Sequence, residues 1–220
     1  MYNKNLKIGI LGSGIVGQVL GKAFLAEGHQ VMLGTRNTSK DEVVKWKNEN
    51  KEGKTGRFSD TAAFADIIVL AVEGAVVDEV IRQAGISNFA NKTVIDATNP
   101  IAKEPPENGV LKFFTTLNDS LMERIQLLIP QANIVKAFNS VGNAFMYKPN
   151  FQGGKPTMFI CGINEEAKKT VTAILDAFGW ETEDMGKIAS ARAIEPLCML
   201  WCIPGIQRNQ WTHAFKLLKA

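Results

Sequence analysis

Six short apolar runs punctuate the chain: Lys7–Leu11, Gln30–Gly34, Ile67–Val72, Thr93–Thr98, Asn133–Phe138 and Thr157–Cys161. Each has the length of a strand, and segments of helical period separate them. Val16, Leu20 and Phe24 mark one face after the first run, and Val76, Val77, Val80 and Ile81 mark one face after the third. This alternation predicts a mostly parallel, doubly covered α/β sheet. Ser39 with Glu42 and Ser120 with Glu123 have capping-box spacing, and Gly179 stands where a helix over 164–178 would stop.

From about Ala189 to Leu218 the pattern is helical throughout, with Pro196 and Pro204 placed to break or kink it. We therefore expect a sheet domain over residues 1–188 and a short C-terminal helical extension over 189–220. About 30 residues form no core of their own, so the extension packs on the domain or on a second subunit. It is also too short to be a substrate domain, which favours a second subunit completing the site.

Directly after the first run stands Gly12-Ser13-Gly14-Ile15-Val16-Gly17, a G-x-G-x-x-G that opens the first helix. In that position the first glycine permits a tight turn, the second lets a pyrophosphate reach the backbone, and the third lets helix and strand pack closely. Free N–H groups at the helix start favour the phosphate charge. The sheet is thus expected to be a Rossmann doubly wound fold that binds a dinucleotide.

The end of the second run selects which dinucleotide. An NAD site places a carboxylate there for the ribose 2′-hydroxyl, but this chain reads Gly34-Thr35-Arg36-Asn37-Thr38-Ser39-Lys40. A hydroxyl, a guanidinium and an ammonium suit a 2′-phosphate, which a carboxylate would repel. Thr35, Arg36 and Lys40 therefore point to NADP(H).

Composition narrows the remaining chemistry. The 220 residues carry 25 Lys and Arg against 22 Asp and Glu, a net charge of +3, with 45% hydrophobic and 21% charged residues. That balance excludes disorder and gives no case for nucleic acid; the basic stretch from Lys45 to Arg57 is broken by Glu49 and Glu52 and reads as a solvated helix end and loop. Residues 8–20 are apolar after Lys4 and Lys7, as in an export signal, but the glycines interrupt them. The run at 197–206 is too short for a membrane span. Cys161, Cys198 and Cys202 make no paired framework and no metal-ligand spacing, which fits a cytoplasmic protein with buried thiols.

Acid–base residues are scarce. His29 lies in a turn before the second run, at the end of the sheet away from ligands, and His213 lies beside Trp211 near the C-terminus. The two tyrosines are Tyr2 and Tyr147, and no Tyr-x-x-x-Lys occurs. No residue is assigned as catalytic. A flavin or deazaflavin acceptor needs little acid–base help, because hydride passes directly between stacked rings.

Several further motifs carry a family resemblance: Leu70-Ala71-Val72, Asp96-Ala97-Thr98-Asn99-Pro100, Val135-Lys136-Ala137-Phe138-Asn139, Cys161-Gly162 and Arg192-Ala193-Ile194-Glu195-Pro196-Leu197. With the glycine motif and Gly34-Thr35-Arg36, they resemble, in order and over nearly the whole chain, the NADPH-dependent coenzyme F420 reductase-like family. That family includes the reductase domains of the STEAP metalloreductases. The resemblance implies that Gly12, Ser13, Gly14, Ile15 and Val16 cradle the pyrophosphate while Thr35, Arg36 and Lys40 hold the 2′-phosphate. It also implies that Ala71 and Val72 line the ribose and nicotinamide side, that Asn99 and Ala137 continue the cofactor site, and that Phe138 and Asn139 border a planar acceptor. A homodimer formed with the C-terminal helices is implied as well.

The segment Asn139-Ser140-Val141-Gly142 replaces a His-Thr-Ile-Pro-like segment of F420 reductases. The co-substrate therefore stays open among F420, a flavin and another planar ring. A non-catalytic NADP(H)-responsive protein and a small imine or carbonyl reductase are the alternatives.

Overall fold

The computed structural model describes residues 5–220; Tyr2 and Lys4 lie outside them. Strand and helix alternate from the start. β1 (Lys7–Leu11), α1 (Ile15–Ala26), β2 (Gln30–Gly34), α2 (Asp41–Glu49), β3 (Lys54–Gly56), α3 (Phe58–Phe64), β4 (Ile67–Leu70), α4 (Val77–Ala84) and β5 (Thr93–Asp96) form the first half. A long excursion then leads to α5 (Leu121–Leu128), followed by β6 (Asn133–Lys136), β7 (Thr157–Gly162), α6 (Glu165–Ala177) and β8 (Glu181–Asp184). Two consecutive helices, α7 (Ala191–Ile194) and α8 (Pro196–Arg208), end the regular structure.

The eight strands form one sheet in the order β3-β2-β1-β4-β5-β6-β7-β8. All pairs are parallel except β6 with β7. This is a Rossmann-like α/β fold, and strand order reverses between β1 and β4, the switch point where such sheets bind ligands beyond their carboxyl ends.

One face of the sheet is covered by α1 and α6, through Leu20, Phe24, Val171, Ile174 and Leu175. The other is covered by α3, α4 and α5, through Phe58, Ala62, Val77, Ile81 and Ile125. Because both faces are covered, β4 is buried at every position, which is why its apolar run shows no alternation.

Three apolar runs outlast their strands by two residues, since pairing stops at Leu70, Asp96 and Lys136. Ala71, Ala97 and Ala137 still give their N–H groups to the neighbouring strand, to Leu11, Leu70 and Asp96 respectively. Beyond them the chain leaves the sheet, and those departing turns line the ligand end. Two strands carry no apolar run. β3 (Lys-Thr-Gly) and β8 (Glu-Thr-Glu-Asp) are polar edges, each paired on one side only, and an edge needs no buried alternation.

The Ser120 cap forms as expected: its Oγ accepts from the Glu123 N–H at 3.2 Å and donates to the Glu123 carboxylate at 2.7 Å. Ser39 caps nothing. Asn37 Oδ1 accepts the Ser39 N–H at 2.9 Å, closing an Asx turn, and the helix starts later with Lys40 at its N-cap. The basic stretch is also more structured than a solvated loop, because it contains β3 and the buried Trp46, whose Nε1 donates to the Gln18 carbonyl at 3.1 Å.

Helix in the C-terminal segment ends at Arg208, where Asn209 adopts φ 52°. Pro196 sits at the start of α8, and Pro204 lies inside it without ending it. Residues 209–220 are irregular and return to the sheet domain: Thr157 donates to the Phe215 carbonyl at 2.9 Å, and Leu217 donates to the Thr157 hydroxyl at 3.0 Å. His213 stacks on Trp201 at 5.1 Å and bonds its carbonyl oxygen through Nε2.

Candidate functional site

A cleft of about 750 Å³ opens over the switch point. Its first wall is the turn between β1 and α1. Gly12 has φ +133°, and a Cβ built on it would lie 2.2 Å from the Ala71 carbonyl oxygen. A Cβ on Gly17 would lie 1.9 Å from the Gly12 carbonyl oxygen. The first and third glycines are thus fixed by close approach of backbone to backbone. At Gly14 an added Cβ would meet nothing within 4 Å, so the second glycine faces open cleft, where a pyrophosphate would need the room. Gly14 is the N-cap of α1 and provides no side-chain cap, leaving the first-turn N–H groups for an anion.

The second wall is the turn after β2. Thr35 is buried, and its Oγ takes the Ser13 hydroxyl at 3.2 Å and the Asn37 N–H at 3.3 Å. It ties the glycine loop to the Arg36 turn. Arg36 is exposed on the cleft. Lys40 also lines the cleft, with its ammonium 3.6 Å from Glu42. Directly after β3 comes Arg57, which the sequence offered only as the end of a solvated basic stretch; its Nη1 donates to the Arg36 carbonyl. Of these two arginines Arg36 lines the cleft, and Arg57 reaches it only through the Arg36 backbone.

The far wall comes from the turns after β4 and β5. Ala71, Val72 and Asn99 line it, with Glu73, Gly74, Val76, Ile101 and Lys103 added by the structure. Ile15 and Ile101 are 60% and 38% exposed at the rim. Among the described residues the lining includes no histidine, tyrosine or cysteine. Eleven of the twelve residues expected to hold cofactor thus share one cleft; the exception is Ala137, which is fully buried.

Phe138 and Asn139 are not on the cleft wall. Phe138 has φ +63°, a region unfavourable for a non-glycine residue, and that conformation turns its ring into the core, 6.0 Å from Phe178. Asn139 is buried behind Asn99, and the two amides are joined: Asn99 Nδ2 donates to the Asn139 carbonyl at 2.8 Å, and Asn139 Nδ2 donates to Asn99 Oδ1 at 3.3 Å.

Below these asparagines lies a charged cluster that composition and spacing gave no reason to expect. Lys136, at the end of β6, is fully buried and donates to Asp96 Oδ2 at 2.9 Å, to the Thr98 carbonyl at 2.7 Å and to Glu195 Oε1 at 3.1 Å. Burial opposes the ammonium charge, but Asp96 and Glu195 outweigh it and raise the Lys136 pKa. Glu195 also accepts the N–H groups of Leu121 and Met122, both at 3.0 Å, at the start of α5. Burial pushes the neighbouring Cys161 thiol up to about 12, so it stays neutral. His29 lies elsewhere, with Nδ1 accepting the Leu6 N–H at 3.1 Å in a structural turn.

Among the described residues no group of His, Cys, Asp and Glu could hold a metal ion. Among them, no helix is long and apolar enough to cross a membrane.

The family model described as NADP oxidoreductase, coenzyme F420-dependent, matches residues 7–100. A crystal structure from Arthrobacter sp. FB24, described as a candidate F420-dependent NADP reductase, is 30% identical, with a TM-score of 0.90 over 98% of this chain and 100% of that one. Rat metalloreductase STEAP3 is 29% identical over 202 residues, 90% of this chain; the chain spans 38% of that relative's length. An imine reductase from Aspergillus terreus, solved with NADPH4, has a TM-score of 0.63 over 90% of this chain and 60% of that one at 15% identity, a likeness of fold alone.

Proposed function

This chain belongs to the coenzyme F420-dependent NADP oxidoreductase family, and from that premise we propose that it transfers a hydride between NADP(H) and a planar flavin-like or deazaflavin-like acceptor. It is an NADP-dependent oxidoreductase; the acceptor is the part proposed. The reading rests chiefly on the cleft that gathers the open glycine turn, the Arg36 guanidinium and the Lys40 ammonium, and the Ala71, Val72 and Asn99 wall at the switch point of the sheet.

The residues present fit NADP(H). In the proposed arrangement the N–H groups of Ser13, Gly14, Ile15 and Val16 bind the pyrophosphate in the space that Gly14 leaves open. Arg36, with Lys40 and Arg57 beside it, binds the 2′-phosphate, and Thr35 holds the turn that presents Arg36. Ala71, Val72 and Asn99 flank the nicotinamide end. When bound, NADPH supplies a hydride equivalent from its nicotinamide ring. The protein's part is to hold two flat rings face to face and exclude water, which the rim residues Ile15 and Ile101 serve by apolar contact.

A ring acceptor also agrees with the lining. Carbonyl reduction commonly needs a proton donor such as histidine or tyrosine beside the reacting atom, and among the described residues the cleft has neither. A deazaflavin or flavin takes the hydride into a conjugated ring instead. Leu200, Ile206 and Trp211 are 55%, 38% and 40% exposed on the C-terminal segment, and they support the proposed homodimer, which sedimentation analysis would test.

The direct functional test is NADPH oxidation with a panel of F420, FMN, FAD, riboflavin and quinones. Turnover with at least one, stronger with NADPH than with NADH, is the expected result. No turnover above background with any of them would remove the acceptor reading.

A further inference from the structure

The buried charged cluster and the asparagine pair form one closed circuit. From the cleft wall, Asn99 bonds Asn139, and Asn139 Nδ2 donates to the Ile194 carbonyl at 2.9 Å. The next residue along the chain, Glu195, accepts from Lys136. Lys136 returns to Asp96 and to the Thr98 carbonyl, immediately before Asn99. Asp96 completes the turn by accepting the Thr98 N–H at 2.9 Å and the Thr98 hydroxyl at 2.6 Å through Oδ1.

Every charged member of this circuit is at most 1% exposed, yet Asn99 reaches the cleft. The donor count of Asn99 is then informative. Its amide nitrogen carries two N–H groups; one donates to the Asn139 carbonyl, and its oxygen is taken by Asn139. Among the described residues the second N–H has no acceptor, and Asn99 is part of the cleft lining. Both ends of the amide are held, so this N–H has a fixed direction.

A buried ion pair is seldom retained for stability alone, since apolar replacement at similar volume is often neutral or better. Here the cluster joins three elements that share no local sequence: the end of β5, the end of β6 and the junction of α7 with α8. The Asn139 side-chain oxygen, Oδ1, is buried with no hydrogen-bond partner in the structure, so the side-chain amide is held by its nitrogen alone, between Asn99 and Ile194.

We infer that Glu195 and Lys136 are positioning residues that act through Asn139 and Asn99, fixing the free Asn99 N–H toward the nicotinamide end of the bound cofactor. The inference rests on the NADP(H) reading of the cleft. It assigns the C-terminal segment a part in cofactor geometry within the same chain, through Glu195, separate from any contact with a second subunit.

The test uses two ligands that share the adenosine 2′- and 5′-phosphates, NADPH and 2′,5′-ADP, the second of which lacks the nicotinamide mononucleotide half. Affinities are measured for the full-length wild type and for Asn99→Ala, Glu195→Gln and the double variant. Asn99→Ala is expected to weaken NADPH about tenfold and to leave 2′,5′-ADP within about twofold. Glu195→Gln is expected to weaken NADPH roughly three- to tenfold with 2′,5′-ADP again unmoved, and to add nothing in the Asn99→Ala background. A structural role alone would lower the melting temperature or weaken both ligands equally.

Equal loss for both ligands, no loss for NADPH in either single variant, or independent additive losses would overturn the inference. Should Glu195→Gln fail to fold, Asn139→Ala breaks the same circuit without removing a charge. It is expected to give the same NADPH-selective loss, and an unchanged ratio would overturn the inference. Failure of the cofactor reading itself shows earlier, as a wild type that binds neither ligand.

Discussion

The two halves of the cleft are built in opposite ways. Between β1, β2 and β4 the site is made by omission: glycines let backbone approach backbone, and the charged Arg36 stays exposed on the cleft, with the exposed Arg57 bonded to its carbonyl. Between β5, β6 and the α7–α8 junction it is made by burial, with an ammonium and two carboxylates out of water and an asparagine pair above them. The contrast follows from the partners. In the proposed reading a phosphate brings its own charge and needs room and N–H donors, whereas a dihydronicotinamide ring has no net charge to steer it, so its orientation is set by the protein.

Substitutions in the two halves should therefore fail differently. The largest effect is expected for Lys136→Met, which leaves Asp96 and Glu195 buried without their cation. Loss of one partner of a buried pair costs about 3–5 kcal/mol, read as a lowered denaturant midpoint. The raised Lys136 pKa sets the sign with pH. The stabilisation is complete below the unfolded value near 10.5 and is lost as pH rises through the folded value. Wild-type stability should thus fall more steeply than that of Lys136→Met in strongly alkaline solution. A mild, pH-independent loss would break the contrast.

Next comes Gly12→Ala in the other half. Its φ of +133° and the 2.2 Å approach to Ala71 leave no space for a methyl group. A cost of roughly 1–3 kcal/mol in folding is expected from the backbone conformation alone, together with loss of measurable NADPH binding. Retained binding would show that the turn is not the cradle.

Arg36→Ala should spare the fold and act on binding. Removing a charge-assisted contact costs about 1.5–3 kcal/mol for NADPH and leaves NADH nearly unchanged. Arg57→Ala should act in the same direction and less, since its contact is to the Arg36 backbone. Equal losses for both cofactors would contradict the 2′-phosphate assignment.

The smallest effect lies outside both halves. Burial lowers the His29 pKa below 6.5, with Glu27 opposing. The native state holds the imidazole neutral, so its stabilisation is present above about 6.5 and is lost as pH falls through the folded value. His29→Gln should flatten wild-type stability between about pH 7 and 5 without altering NADPH affinity at neutral pH.

The same contrast explains what the sequence made legible. The omission-built half sits in two contiguous segments, 12–17 and 34–40, where spacing and residue type carry the chemistry. The burial-built half depends on Asp96, Lys136 and Glu195, which are 40 and 59 residues apart in sequence; no local pattern announces them, and Lys136 looks like any strand-end lysine. Arg57 was hidden for a related reason. It follows β3, a polar edge strand with no periodic signal, and only pairing with β2 brings it to Arg36.

Phe138 shows the limit of matching motifs. Its place in the motif was right beside the site, but a positive φ turned the ring into the core, and the sequence gives no backbone angle for a phenylalanine. Ser39 failed similarly, outcompeted by the Asx turn at Asn37. Tail residues 209–218 kept a helical pattern without forming a helix, because packing of Trp211 and His213 against Trp201 prevailed over local propensity.

The central claim is hydride transfer from NADPH to a ring carbon or nitrogen of a planar acceptor, and isotope transfer tests it most directly. NADPH deuterated at both C4 positions is incubated with the protein and F420, whose receiving atom is a carbon that retains the label. Mass spectrometry of the reduced deazaflavin is predicted to show one deuterium per molecule, formed at the rate of NADPH oxidation. NADPH oxidation that leaves the reduced deazaflavin unlabelled would contradict direct transfer.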